Sequence, residues 1–142
     1  MESKLHAIHP NGIEKWGFVY EGVPTFGPPS IHTDGTIYVS TFASVTGEGR
    51  IYAINPDGTK KWIYITTDIP HKHLAIGGDG TLFFAGDKAF YALGADGKLK
   101  WKFTLTAVVG YGASIDYDGT VYFPAYENTD PPVGKLYSLN PD

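Results

Sequence analysis

The chain has 142 residues, 42% of them apolar and 15% aromatic, with a formal charge of −4 and no cysteine. That is enough apolar side chain for a packed interior, far from a disordered composition. The acidic balance excludes the basic face that nucleic acid requires, no apolar run approaches the roughly 20 residues of a membrane span, and the missing thiols exclude disulfides and thiolate metal sites.

In chain order, the first element is residues 5–12, Leu-His-Ala-Ile-His-Pro-Asn-Gly, a strand closed by an Asn11-Gly12 turn. Residues 13–18 return as a strand carrying Trp16. Linker 20–27 holds Tyr20, Glu21 and Phe26, and a short strand at 29–32 ends on His32. Asp34-Gly35 then turns the chain into a strand at 36–40. Asp-Gly marks a tight turn because such turns need positive φ, which glycine adopts without a Cβ penalty. A connection at 41–50, with Phe42 and Glu48, leads to 51–58, Ile-Tyr-Ala-Ile-Asn-Pro-Asp-Gly. Strand 59–65 carries Trp62.

The same order recurs. Linker 66–72 holds Asp68 and His71; strands at 74–76 and 81–85 flank Asp79-Gly80. Connection 86–88 leads to 90–97, Phe-Tyr-Ala-Leu-Gly-Ala-Asp-Gly, and to strand 98–105 with Trp101. After linker 106–110, strands at 113–115 and 120–124 flank Asp118-Gly119. Connection 126–135 holds Tyr126, Glu127, Asn128 and Asp130, and the chain closes on 136–142, Leu-Tyr-Ser-Leu-Asn-Pro-Asp. No segment has helical periodicity.

Trp16, Trp62 and Trp101 lie in steps of 46 and 39 residues, the period of four-stranded propeller blades. Second and third strands are nearly continuous apolar runs, as in sheets covered on both faces. In the last fourth strand Lys98, Lys100 and Lys102 alternate with Leu99, Trp101 and Phe103, a pattern that blocks edge-to-edge pairing. The expected fold is all-β: four-stranded antiparallel blades forming an incomplete ring within one partial propeller over 1–142. It divides into a half blade at 1–20 (strands three and four), blades at 27–65 and 73–105, and an incomplete blade at 111–142 (strands one to three).

The stretch Gly35-Thr36-Ile37-Tyr38-Val39, followed by Ile51-Tyr52-Ala53-Ile54-Asn55-Pro56-Asp57-Gly58-Thr59-Lys60-Lys61-Trp62, resembles the repeat of the PQQ-like (quinoprotein dehydrogenase-like) β-propellers. The likeness recurs in every unit. It implies blades in which the fourth-strand Trp docks against a neighbour, giving Trp16, Trp62 and Trp101 structural roles beside the turn glycines Gly35, Gly80 and Gly119. It implies rings of about six to eight blades and a periplasmic or extracellular location, although Met1-Glu2-Ser3-Lys4 leads straight into a repeat strand without a signal peptide. The family holds quinone-dependent alcohol dehydrogenases, with calcium, a catalytic Asp and often a vicinal Cys pair, and also non-enzymatic members. This chain has no Cys and no recognisable version of that site, so no cofactor, metal or catalytic residue is carried over.

Three units cannot close a ring, since about four is the smallest. Two readings follow: the chain is a cut piece of a longer single-chain propeller, or its expected partner is the chain itself. A homodimer would make six blades, each terminal half blade completing the other copy's. Burying a face of roughly 300 Å² on each partner at two joints removes roughly 1,200 Å², on the order of 30 kcal/mol gross before association costs.

Binding residues tend to lie on variable loops over a rigid scaffold. The candidates on such loops are Phe42, Glu48, His71, Tyr126, Glu127 and Asp130, whose rings and carboxylates suit a sugar, a peptide or a cation. The alternative is that they cap the ring and keep it soluble. His32 and Asp116 occupy comparable inner-strand positions and are candidates for a polar site facing the channel. His71-Lys72-His73 places two imidazoles on one strand face, but no third ligand follows at a metal-site spacing. The function expected is a non-catalytic scaffold for a protein or small ligand. The alternatives are a fragment of a quinone-dependent dehydrogenase and a carbohydrate-binding propeller.

Overall fold

The structure is a computed structural model that describes every residue except Met1, Thr25, Phe26, His71, Lys72, Lys88, Ala107, Gly110, Tyr111, Asn128, Pro141 and Asp142. The described residues form strands and turns without a helix, hence none long and apolar enough to cross a membrane. They gather into four antiparallel sheets, none closed on itself. The first holds β1 (Glu2–Ile8) and β2 (Glu14–Glu21). The second holds β3 (Val23–Pro24), β4 (Ser30–Ile31), β5 (Ile37–Ala43), β6 (Glu48–Ile54) and β7 (Lys60–Thr66). The third holds β8 (Ala75–Ile76), β9 (Leu82–Ala85), β10 (Ala89–Leu93) and β11 (Leu99–Thr104). The fourth holds β12 (Val108–Val109), β13 (Ser114–Ile115), β14 (Val121–Glu127) and β15 (Val133–Leu139).

Turn chemistry sets the registers. The β1–β2, β6–β7 and β10–β11 hairpins each shift register just after Ala7, Ala53 and Ala92. Each closes through a glycine at positive φ: Gly12 (+85°), Gly58 (+89°) and Gly97 (+80°). That is the geometry of a tight turn followed by a glycine bulge, which only a residue without Cβ adopts freely.

Period-two alternation builds the core. In β9, Leu82 and Phe84 face the second sheet while Phe83 and Ala85 face the fourth. In β10, Ala89, Tyr91 and Leu93 face one way and Phe90 and Ala92 the other. The described apolar clusters thus lie at the joints between consecutive sheets. The first two joints are also stitched by polar groups. Trp16 donates its indole N–H to the Pro56 carbonyl at 2.9 Å, and Trp62 donates to the Ala95 carbonyl at 2.9 Å. Third-strand tyrosines reach back the other way. The Tyr52 hydroxyl accepts from the Glu21 backbone N–H at 3.3 Å, and the Tyr91 hydroxyl donates to the buried Asp68 carboxylate at 3.1 Å.

Several expectations shift. The connection at 41–50 narrows to 44–47, because β5 and β6 keep pairing to Ala43↔Glu48. Phe42 and Glu48 therefore stand on strands, as do Tyr126 and Glu127 at the end of β14. The long β5 and β14 also carry a second short partner, β3 and β12, which the linker composition does not announce. Opposite β10, the four-residue β9 carries one short partner among the described residues, β8. Continuous burial holds for the middle of β5, residues 51–54 of β6, and β9 and β10, but β14 alternates buried and exposed and β15 is mostly exposed. The fourth sheet is covered by the third on one face only.

Candidate functional site

The inner hairpins are three copies of one turn. Backbone N–H groups of His32, Gly77 and Asp116 donate to the carbonyls of Thr36, Thr81 and Thr120, at 2.9, 2.8 and 2.9 Å. Gly35, Gly80 and Gly119 close the turns at φ of +84°, +82° and +88°. Asp34, Asp79 and Asp118 each accept the N–H of the Thr two residues on, at 2.8 to 2.9 Å. These bonds favour the carboxylate form. The Thr36 backbone N–H holds Asp34 well below the usual range. The Thr81 hydroxyl and N–H lower Asp79 to about 2, and the Thr120 N–H lowers Asp118. A depressed carboxyl contributes stability above its unfolded pKa and loses it as pH falls through the folded value. The urea midpoint is therefore expected to drop between about pH 4 and about pH 2, and Asp79→Asn to flatten part of that drop. An unchanged profile in the variant would remove the turns from the account.

The turns differ where they meet the next sheet. His32 of the second sheet lies against the third: a Cβ built on Gly80 would stand 3.6 Å from its Cε1. Its Nδ1 is 3.0 Å from Asp34 Oδ1, and its buried Nε2 has no hydrogen-bond partner. At the next joint the equivalent residue is Gly77. With no side chain there, a cleft of about 470 Å³ opens between the 77–81 and 115–119 turns. Buried Phe83 lies at its base, and Asp79, Asp116 and Tyr117 line it. Tyr117 is 99% exposed, and its N–H donates to Asp116 Oδ1 at 2.7 Å. Asp79 is partnered by Lys100 Nζ at 3.3 Å. Asp116 and Asp118 have no ion pair among the described residues, so the cleft carries uncompensated carboxylate beside aromatic surface.

The sequence candidates do not converge. His32 plugs one joint and Asp116 borders the open one. Phe42 lines a hollow of about 120 Å³ with Val23, Ala43 and Val45. Glu48 and Glu21 both pair with Arg50, at 2.9 and 2.5 Å, which raises the guanidinium further above its ordinary value. Glu127 pairs with Lys135, Tyr126 sits opposite Val108, and Asp130 is exposed. His71 lies outside the described residues. Among those described, no three His, Asp or Glu side chains are grouped to hold a metal.

Two features escape a reading of single residues. Phe83 and Tyr117 enter the cleft only because Gly77 fills the column that His32 fills elsewhere; aligning the turns is the signal that finds them. A larger groove, about 570 Å³, runs between the outer strands of the first and second sheets over Phe18, Tyr20 and Tyr52. At the sister joint Lys102 stands over the Tyr91 ring at 5.1 Å, where this joint has Ile63. The rings under the groove are packed together at 5.8 to 6.4 Å, and burial pushes the Tyr20 hydroxyl up. The groove is thus floored by core side chains, and the smaller cleft holds the carboxylates with no ion-pair partner.

No family model matches the chain, and no curated protein matches it. Among solved structures, a protein of unknown function from Bacteroides caccae aligns over 95% of this chain, with a TM-score of 0.61 and 12% identity. The chain spans about half of that protein, 53% of its length. This chain is therefore similar to that protein in fold.

Proposed function

We propose that the chain is a non-catalytic propeller scaffold whose four sheets are blades, and that it binds a small polyhydroxylated ligand, a mono- or disaccharide, in the cleft between the 77–81 and 115–119 turns. One observation carries the reading: Gly77 stands where the sister joint has His32, leaving about 470 Å³ open above Phe83. Ligand pockets combine apolar floor with a few placed polar groups. Here the Asp116 and Asp118 carboxylates would accept sugar hydroxyls, and Phe83 and Tyr117 would pack the C–H face. The propeller part is supported by the indole joint repeated from the first sheet to the second and from the second to the third.

The test is a glycan screen followed by calorimetric titration of the hits with Gly77→His. Gly77 has ordinary backbone, and a Cβ there meets the movable Asp79 carboxylate at 2.9 Å, the relation His32 has with Asp34. The variant should fold like the parent and lose affinity by at least about tenfold, as for a filled central pocket. No saccharide binding, or equal binding by the variant, ends this reading.

A further inference from the structure

We propose that the groove between the first and second sheets binds a small zwitterion of the amino-acid class, an alkyl chain with an ammonium at one end and a carboxylate at the other. The inference needs neither the closed ring nor the saccharide cleft. The groove, about 570 Å³, runs along β2 from Phe18 to Glu21, over Tyr52 of β6 and beside Lys60 and Ile63 of β7.

The sister joint shows what such a place accepts. Ala53 pairs with Trp62 and Ala92 with Trp101, so the next rungs, Tyr52↔Ile63 and Tyr91↔Lys102, are equivalent. Lys102 sets its ammonium over the Tyr91 ring, with Nζ 5.1 Å from the centroid. An aromatic ring attracts a cation through its negative face, most strongly where water is excluded. Ile63 brings no charge to the matching ring. With Lys102 above it Tyr91 is 2% exposed, whereas Tyr52 keeps 5% and its neighbour Tyr20 7%. Phe18, Tyr20 and Tyr52 gather three rings under the opening.

Charge divides along the groove. At one end the Glu21 and Glu48 carboxylates share a single guanidinium, that of Arg50, which leaves one negative charge in excess. The Glu21 side chain is 81% exposed. At the other end Lys60 is exposed and has no ion pair among the described residues. Lys60 and Ile63 lie three strand steps apart, roughly 10 Å between Cα atoms. An ammonium over Tyr52 beside Glu21 and a carboxylate on Lys60 are thus two ends of one extended molecule, with its methylenes on Phe18 and Ile63. A cation alone would meet like charge at Lys60, and an anion alone would meet it at Glu21.

Calorimetric titration with ε-aminocaproate, hexylamine and caproate tests this. The zwitterion should bind tighter than either singly charged analogue by about threefold, the scale of one exposed ion pair. Ile63→Lys copies the sister rung at a site already 36% exposed, so it should fold like the parent. Its own ammonium should take the ring and lower the zwitterion's affinity by at least about tenfold. The control Val45→Lys adds the same charge at a 97% exposed residue outside the groove and should leave binding unchanged. Should Ile63→Lys fail to fold, Glu21→Gln keeps Glu48 on Arg50 and should weaken ε-aminocaproate and hexylamine but not caproate. No zwitterion binding at millimolar concentration, equal binding of the three compounds, or binding indifferent to the groove variants overturns the proposal. Saccharide binding is read separately, through Gly77→His, and stands or falls on its own.

Discussion

Gly97→Ala is expected to lower stability by about 3–5 kcal/mol, the range for removing a large aromatic from its packing. The measurement is the urea midpoint of the variant against the parent. The added methyl would sit 2.6 Å from the Trp62 ring, inside any real carbon–carbon contact. Gly97 cannot move aside, because its N–H donates to the Gly94 carbonyl at 2.9 Å. The indole must leave instead, breaking its 2.9 Å bond to the Ala95 carbonyl. With it goes the contact to buried Tyr38, at 5.6 Å between ring centroids. Gly47→Ala separates the backbone component. Gly47 has φ of +71° with nothing within 4 Å, so its cost is confined to about 1–2 kcal/mol for left-handed backbone. Equal losses in the two variants would mean that the indole contact contributes nothing.

That argument shows which part of the fold is legible in sequence. Asn11-Gly12, Asp57-Gly58 and Asp96-Gly97 stand out as turns because few residues adopt positive φ, and their spacing orders the strands. All-β architecture and the order of the long strands follow from that alone. Strand ends do not. Thr41, Phe42 and Ala43 extend β5 because Arg50, Gly49 and Glu48 lie opposite with free backbone groups, a condition set by the partner strand. The short β3 forms for the same reason, on the edge that the extended β5 leaves open.

The candidate cleft was legible only by half. Asp116 stands out as a polar residue in an inner strand, and His32 in the matching position reads as its companion. The structure separates them, because one sheet's side chain fills the space before the next sheet, and the two belong to different joints. The cleft is made by the side chain that Gly77 lacks, and a missing group leaves no mark in a search for chemistry-bearing residues. Two of the loop candidates are engaged within the chain itself. Glu48 and Glu127 have basic partners two and eight residues away: Arg50 shares a face of β6 with Glu48, and Lys135 reaches Glu127 from the paired strand β15. Both carboxylates are thus held in ion pairs near strand ends.

Phe123→Ala should also cost about 3–5 kcal/mol, and its effect should be unevenly distributed. Phe123 is fully buried and stacks on Phe90 of the third sheet at 4.2 Å and on Tyr137 of β15 at 5.2 Å, both within 5° of parallel. It is the ring through which the fourth sheet holds both its neighbour and its own edge. In arrays whose units contact only adjacent units, a lost interface releases the terminal unit first. The third sheet has a second interface, where Phe84 meets Tyr64 of the second sheet edge-on at 6.4 Å, and Phe123 lies outside that cluster. Hydrogen exchange of the variant should therefore lose protection in β14 and β15 while β9 and β10 keep theirs. Uniform loss across all four sheets would mean that the array unfolds as one unit, and that the joints are coupled more tightly than their separate clusters imply.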